Sequence, residues 1–284
     1  MRTGMTFMIV LIIFSLGACT TTKSTVGRNP SLVQVWETPK ELEVPESVMY
    51  DSARSVLYVS NISGMPTLKN SKGFISKVNL DGSIRDLYWV AGLNAPKGMG
   101  IAGDTLYVTD IDVIHAINIS TGAVFQSWSV EGAQFLNDIA IDPKGNVFIT
   151  DMGTNKIHMI HNGMLDSFFH LDYNRPNGLL MEGDTLLVGT AEGLLKIDTQ
   201  SRHVVLEIEH QGGIDGIKKI DTGRYLVSDW KGKTQVIEKG KPPIVLLDTS
   251  DQKINAADFE YISARNLLMI PTFFDNRVVA YRLQ

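Results

Sequence analysis

The chain has 284 residues, of which 44% are hydrophobic, and this is enough to build one large domain or two small ones. Its 26 Lys and Arg residues against 31 Asp and Glu residues give a slightly acidic balance without a basic run, which argues against nucleic acid as a partner. Frequent glycine, many aromatic and β-branched residues and a lack of long amphipathic helical patterns favour an all-β fold.

The first 18 residues are predicted to be a signal peptide rather than part of the fold. Arg2 gives a positive start, and the apolar run 7–16 is short for a membrane span. The run ends in Leu-Gly-Ala-Cys, which resembles the lipobox of a bacterial lipoprotein. The resemblance implies cleavage before Cys19 and acylation of Cys19, and the acyl chains would anchor the protein at about 0.8 kcal/mol per buried methylene. The alternative is an ordinary secretory signal in which Cys19 has no role.

The residues around Cys19 also predict how and where the domain is attached. Residues 19–32 are polar with Gly and Pro, so we expect a flexible tether ahead of a domain at 33–284. Thr20 rather than Asp follows the cysteine, which favours the outer membrane of the cell envelope. Cys19 is the only cysteine in the sequence. The exported domain therefore has no internal disulfide and depends on packing for its stability.

One pattern recurs six times along residues 33–284. In each copy a polar residue precedes a short apolar strand, a tight turn follows, and a second strand such as LYV, VFI or LLV comes next. We call these polar residues the openers; they are Glu46, Lys97, Asn137, Asn177, Asp215 and Asp258. A period of about 40 residues with several strands per unit is typical of a β-propeller, so the sequence predicts six blades. Leu32–Glu37 is expected to close the ring beside the last blade.

Two glycine motifs raise the question of a nucleotide site. Gly98, Gly100 and Gly103 match G-x-G-x-x-G, but a strand begins at these glycines and a hairpin follows, whereas a dinucleotide turn follows a strand and opens a helix. The Gly-Lys-Thr at 232–234 lacks the first glycine of a P-loop, because Val227 stands in its place. We therefore expect no nucleotide. Gly98 and Gly100 are expected to permit close packing near the axis, and Gly103 to form a hairpin turn.

The openers are expected to meet at one mouth of the central channel, because the innermost strand of each blade starts there. The carboxylates of such a ring repel one another and are costly to bury unless a cation joins them. Since the donors are oxygens and no histidine is an opener, Ca²⁺ is the expected ion, with Mg²⁺, Mn²⁺ and Zn²⁺ as alternatives. A metal-free alternative makes Asn177 and Asp215 ordinary turn residues before glycine and pairs Glu46 with Lys97 in a salt bridge.

The ordered set of motifs resembles the SMP-30/gluconolactonase (regucalcin-like) family of six-bladed propellers from about residue 33 onward. The motifs are Glu46 with Tyr50-Asp51, Asn137-Asp138 ahead of Asp142-Pro143-Lys144-Gly145, Pro176-Asn177-Gly178-Leu179, and Asp215-Gly216. The resemblance implies that Glu46, Asn177 and Asp215 bind one divalent metal, that Asp215 also acts as general base, and that Asn137 contacts the substrate or a water on the metal.

The chain departs from the family pattern at two positions. Phe135 stands where the family often has an arginine that grips the substrate. Lys97 also faces the channel, where it is expected to contact a substrate oxyanion or to displace the metal. Both departures bear on the activity more than on the fold.

Two functions follow from these patterns. The first is a metal-dependent hydrolase of a lactone or related ester, with a small, sugar-derived molecule as substrate and with Lys97 and Asn137 orienting it. A serine hydrolase is not expected, since the sequence has no G-x-S-x-G and no histidine among the openers. The alternative is a non-catalytic lipoprotein that binds a ligand or a protein and keeps a structural metal.

Overall fold

The structure of the protein is a computed structural model that describes Met1 and residues 30–284. Cys19, the predicted lipidation site, and the predicted signal and tether apart from Met1 and residues 30–32 lie outside the described residues. Strands and three short 3₁₀-helices make up the regular structure of the described part. Within residues 30–284, none of the helices combines the length and the hydropathy of a membrane span.

The strands are numbered in chain order and are joined mostly by short turns. The first thirteen are β1 (Leu32–Glu37), β2 (Pro45–Asp51), β3 (Val56–Asn61), β4 (Gly73–Val78), β5 (Ile84–Leu93), β6 (Pro96–Ala102), β7 (Thr105–Asp110), β8 (Val113–Asn118), β9 (Val124–Ser129), β10 (Leu136–Ile141), β11 (Val147–Asp151), β12 (Lys156–His161) and β13 (Met164–His170). The others are β14 (Leu179–Glu182), β15 (Thr185–Gly189), β16 (Gly193–Asp198), β17 (Val204–Glu209), β18 (Ile217–Asp221), β19 (Arg224–Asp229), β20 (Lys233–Glu238), β21 (Ile244–Asp248), β22 (Glu260–Ile262), β23 (Leu267–Pro271) and β24 (Val278–Leu283). The 3₁₀-helices are Ser250–Gln252, Ser263–Arg265 and Phe273–Asp275.

These strands form six four-stranded antiparallel sheets, which are the blades of a β-propeller. Blades 1 to 5 each consist of four consecutive strands, beginning with β2, β6, β10, β14 and β18. The innermost strands of neighbouring blades contact one another around the ring. The prediction of an all-β, six-bladed propeller is therefore confirmed.

The sixth blade joins the two ends of the described chain. Its strand order is β22, β23, β24 and β1, with Leu32 opposite Leu283 and Trp36 opposite Ala280. The backbone amide of Gln284 also donates to the carbonyl of Ser31 at 3.0 Å. The expected closure by Leu32–Glu37 is confirmed, and it satisfies an edge that would otherwise expose unpaired backbone groups.

The core lies between the faces of adjacent blades. One buried cluster combines Leu57 and Val59 of blade 1 with Met269 and Ala280 of blade 6, and the next combines Tyr58 of blade 1 with residues of blade 2. A single twisted sheet cannot bury both of its faces, so each blade gains its apolar contacts from its two neighbours. This packing fixes the distance of every innermost strand from the axis.

Glycines allow the innermost strands to come close to one another. A Cβ atom on Gly98 would lie 2.5 Å from the Cα of Asp138, and one on Gly100 would lie 2.7 Å from a methyl carbon of Ile139. Gly103 has a φ of +58° in the turn between β6 and β7. The sequence-based expectation for all three glycines is confirmed, and the close packing that they permit narrows the channel.

Candidate functional site

Five of the six predicted openers surround one cavity at a mouth of the channel. The cavity has a volume of about 290 Å³, and its polar lining consists mainly of Glu46, Lys97, Asn137, Asn177 and Asp215. Glu46, Lys97 and Asn137 are the second residues of their innermost strands, and Asn177 and Asp215 lie two residues before theirs. Segments that are far apart in the chain therefore bring two carboxylates, two amides and one ammonium group to the same place.

Hydroxyl groups of the preceding blades hold the openers in position. Thr109 at the end of β7 donates its hydroxyl hydrogen to the carbonyl of Asn137. Thr150 in β11 does the same for Asn177 at 2.8 Å, and Ser228 in β19 does so for Ala257 at 2.9 Å. Each bond crosses from one blade to the next, so the start of an innermost strand is fixed by its neighbour.

The same hydrogen bonds correct one sequence prediction, because they make Ala257 the opener of blade 6. Asp258 is one position further along, and its carboxylate accepts a hydrogen bond from the Ser47 hydroxyl at 2.6 Å instead of lining the cavity. A shift of one residue turns an extended side chain to the opposite face. The adjacent Ala-Ala-Asp of this copy concealed the register, since only its third residue is polar.

The loops that lead into two openers are fastened by aspartates that the sequence analysis did not single out. Asp110 ends β7 and accepts hydrogen bonds from the amides of Asn94 and Ala95 at 2.8 and 2.6 Å. Asp151 ends β11 and accepts one from the amide of Phe135 at 2.9 Å. The signal was present in the sequence, since a Thr-Asp pair closes the second strand in both copies.

The cavity contains two buried oxygen atoms without a hydrogen-bond partner. They are Oε2 of Glu46 and Oδ1 of Asn177, which lie on different blades. Buried polar atoms are nearly always paired, because an unpaired one loses its hydration without replacement. These two atoms therefore mark a position where a positive or hydrogen-bonding group fits.

The acidic side chains of the cavity are electrostatically unfavourable as they stand. The pKa of Glu46 is raised well above its ordinary value, first by burial and then by the carboxylates of Asp215 and Asp258. The pKa of Asp215 is also raised well above its ordinary value by burial and by Asp258, and the Asn177 side chain opposes part of this rise. Negative charge at this site thus needs compensation beyond what the nearby protein groups supply.

Lys97 is the cation among the openers, and only 1% of its surface is exposed. Its Nζ donates to the carbonyl of Ala95 at 2.9 Å and lies 4.6 Å from the ring centroid of Phe135. Burial lowers the pKa of Lys97 to about 8, although Glu46 and Asp110 act in the opposite direction. The metal-free alternative requires a salt bridge between Lys97 and Glu46. Oε2 of Glu46 has no partner, so this oxygen does not form that salt bridge.

A second group of acids, which does not line the opener cavity, is balanced by the cation Lys218. The acids are Glu260, Asp258 and Asp138. Nζ of Lys218 is 3.4 Å from Glu260. Burial disfavours the charge of Lys218, but Glu260, Asp258 and Asp138 outweigh it and raise the pKa. Burial raises the pKa of Asp258 to about 6, and Lys218 and a hydrogen bond from Ser47 oppose this rise. Lys218 thus compensates the negative charge of this second group, whereas Glu46 and Asp215 line the opener cavity.

The residues present fit a hard divalent cation. Glu46, Asn177 and Asp215 offer side-chain oxygens as ligands, and each of the three has an unpaired buried oxygen or a strongly disfavoured charge. No histidine lines the cavity. Among the described residues, no group of three or more His, Cys, Asp and Glu side chains is arranged to hold a metal ion. The predicted ligands include only two such side chains, Glu46 and Asp215, because the third ligand, Asn177, is an amide.

One wall of the cavity is apolar, which the sequence analysis did not foresee. Ile62, Phe135, Trp230 and Phe273 line it. Trp230 is 43% exposed and packs edge-on against Phe273, with 5.4 Å between the ring centroids. The available signal was the position of Trp230 directly after β19, since residues after a second strand border the mouth of the channel.

Comparisons with known proteins support the architecture. No protein-family model matches the chain, and no curated protein does. Among solved structures it is similar to selenomethionine-substituted virginiamycin B lyase from Staphylococcus aureus, with a TM-score of 0.63 and 13% identity over 90% of this chain and 100% of that chain. A catalytically inactive variant of that lyase with quinupristin gives a TM-score of 0.61 and 11% identity, with the same coverage of both chains. At these identities the likeness shows the propeller fold alone.

Proposed function

We propose that the protein is a metal-dependent hydrolase of a lactone or related ester, of the SMP-30/gluconolactonase kind, and that the opener cavity is its active site. The observation that carries the proposal is the pair of unpaired buried oxygens, Oε2 of Glu46 and Oδ1 of Asn177, in a cavity shared with Asp215. A purely structural channel gains nothing from leaving these atoms without partners. Their position suits a divalent cation, with Ca²⁺ first.

Each opener that lines the cavity has a role in this proposal. Glu46, Asn177 and Asp215 hold the cation, which when bound polarises a carbonyl and contributes several kcal/mol of transition-state stabilisation. Asp215 accepts the proton of the attacking water, for which it must lie within hydrogen-bond reach of that water. Asn137 offers an amide to the substrate. Lys97 uses one of its three N–H groups on the carbonyl of Ala95, which leaves two for a substrate oxygen.

The apolar wall agrees with a small organic substrate. Ligand pockets are mostly lined by apolar and aromatic side chains, with a few polar groups that fix the orientation. The cavity follows this arrangement, with Trp230 and Phe273 on one side and the openers on the other. Its volume of about 290 Å³ suits a molecule of the size of a sugar lactone or a short ester.

The second candidate is a ligand-binding propeller with a structural cation and no catalysis. It is favoured by Phe135, which covers Lys97 where the family often has a substrate-binding arginine. The two candidates differ in turnover and not in metal binding. Export, acylation of Cys19 and attachment to the outer membrane are part of both.

The experiment that tests the proposal is hydrolysis of aldonolactones and aryl esters with added Ca²⁺ and after chelation. We expect turnover that chelation removes and that Asp215→Asn abolishes, while the matched control Asp166→Asn, an exposed acid on β13, stays active. Turnover that is indifferent to chelation would contradict the metal role. Metal binding without turnover of any ester would leave the ligand-binding candidate in its place.

A further inference from the structure

A second cavity adjoins the opener cavity and is lined by two cationic side chains, Arg175 and Lys231, as well as by two acids. Its volume is about 470 Å³, and both cavities are bordered by Met152, Arg175, Asn177, Asp215 and Trp230. The second cavity alone is also lined by Lys231 and Asp229. A molecule bound at the openers therefore has space to extend past Arg175 into the second cavity.

The guanidinium of Arg175 stands at the junction of the two cavities and lacks an acidic partner. Among residues 30–284 it forms no ion pair within 4 Å, and its side-chain contact is with the sulfur of Met152 at 3.8 Å. Asp229 lines the same space, but its Oδ1 accepts the amide of Lys231 at 3.0 Å. An arginine beside a cavity without a carboxylate partner is available to a ligand.

The loop that carries Arg175 is held in one conformation. Arg175 has a φ of +54°, which is uncommon for a residue other than glycine, and it precedes the buried Pro176. Its amide donates to Oδ1 of Asn155 at 2.9 Å. The amide of the preceding Asn174 donates to Glu192 at 3.0 Å. These bonds hold the backbone in place just before Asn177. They therefore also fix the position of the Arg175 Cα atom relative to the proposed cation site.

We propose that Arg175 binds a carboxylate of the substrate, so that the substrate is an anionic ester or lactone with an apolar portion. This inference rests on the proposed function and names its substrate class. The planar guanidinium offers paired N–H donors that match a carboxylate. The carbonyl lies at the openers, the carboxylate lies at Arg175, and the apolar portion lies against Trp230. Arg175 thus supplies, from the loop that leads into blade 4, the cation that Phe135 does not supply.

The test compares two esters that differ in one charge. Mono-4-nitrophenyl glutarate ends in a carboxylate, and 4-nitrophenyl pentanoate of equal chain length ends in a methyl group. We expect the wild-type protein to prefer the anionic ester by at least about tenfold in kcat/KM, since a charge-assisted hydrogen bond is worth that much. Arg175→Met should remove the preference through KM, and Arg175→Lys should keep part of it. Arg265→Met, in the 3₁₀-helix between β22 and β23, removes the same charge far from the openers and should keep the preference.

A binding measurement separates this inference from the proposed hydrolysis. Calorimetry with phenylacetate and with 2-phenylethanol needs no turnover, and we expect phenylacetate to bind at least about tenfold more tightly in a manner lost in Arg175→Met. If phenylacetate binds in this way and no ester is cleaved, the carboxylate site stands and the hydrolase proposal fails. If esters are cleaved but charge has no effect on binding or kcat/KM, or if the preference survives in Arg175→Met, the inference is overturned.

Discussion

The hydroxyl of Thr150 donates a 2.8 Å hydrogen bond to the carbonyl of Asn177, across the boundary between blades 3 and 4. The same hydroxyl accepts the amide of Asp138 at 3.0 Å. A single buried side chain therefore ties the innermost strand of its own blade to the opener of the next. This relationship connects the stability of the ring with the geometry of the candidate site.

Thr150→Val tests this link, because valine has the same shape and no hydroxyl. It leaves the Asp138 amide and the Asn177 carbonyl without partners, and we expect a loss of about 1–3 kcal/mol in the free energy of unfolding. Urea denaturation measures this loss. Thr199→Val removes an exposed hydroxyl that donates to the Asp184 carbonyl at 2.9 Å, and it should cost much less. Equal losses for the two variants would contradict the role of Thr150.

Asp151 predicts a pH dependence of stability. Burial opposes its ionisation, but the nearby His158 ring and hydrogen bonds from the Thr154 hydroxyl and the Phe135 amide outweigh burial and lower the pKa to about 2. A pKa that is lower in the folded protein than in the unfolded chain stabilises the fold above the unfolded pKa of about 4. This contribution, about 2 kcal/mol, is lost as the pH falls from about 4 through about 2. Asp151→Asn should flatten the loss of unfolding free energy in that window, whereas Asp166→Asn should preserve it. A slope unchanged by Asp151→Asn would contradict the assignment.

Gly178 predicts a steric limit on the ring. A Cβ atom at this position would overlap the carbonyl oxygen of Asp215 in the next blade, whereas one on Gly100 would meet side-chain carbons of Ile139 and Ile141, the nearest at 2.7 Å. Because backbone yields less readily than a side chain, we expect Gly178→Ala to cost about 3 kcal/mol or more and Gly100→Ala to cost about 1 kcal/mol. Thermal unfolding of both variants measures the difference, and a reversed order would show that the blades are further apart than described.

Calcium should stabilise the protein through Glu46 and its neighbours. At a concentration of 100 times Kd, the gain in the free energy of unfolding is about 2.7 kcal/mol. Glu46→Gln removes a buried negative charge without changing the shape of the side chain. Without metal, the variant should be more stable than the wild-type protein, and it should gain little from Ca²⁺. Asp166→Asn should respond to Ca²⁺ like the wild-type protein. Differential scanning calorimetry with and without Ca²⁺ decides this, and an equal gain in Glu46→Gln would contradict the proposed ligand.

The periodic features of the fold could be predicted from the sequence, and the singular ones could not. Polar openers at a spacing of about 40 residues are enough to give the blades and to bring Glu46, Asn177 and Asp215 to one cavity. The register of the last opener was wrong because Ala257 carries no polar signal beside Asp258. Arg175 was not identified as a site residue because it lies in a loop, where its own φ is positive. This loop conformation is not part of the pattern that the six copies share.

The apolar wall was missed for a similar reason. Trp230 and Phe273 belong to different blades and become neighbours only when these blades pack against each other. Sequence periodicity reveals the strands and turns that all blades share. The apolar wall of the cavity consists instead of residues that differ from blade to blade. Residues at equivalent positions after each second strand are therefore the place to search for specificity in a propeller.

A crystal structure with Mn²⁺ or Ca²⁺ and anomalous diffraction would show whether one cation joins Glu46, Asn177 and Asp215. We expect one anomalous peak in the opener cavity, with side-chain oxygens of all three residues at about 2.0–2.6 Å from the ion. A cavity without a peak at millimolar metal, or an ion bound elsewhere while Oδ1 of Asn177 contacts only water, would contradict it.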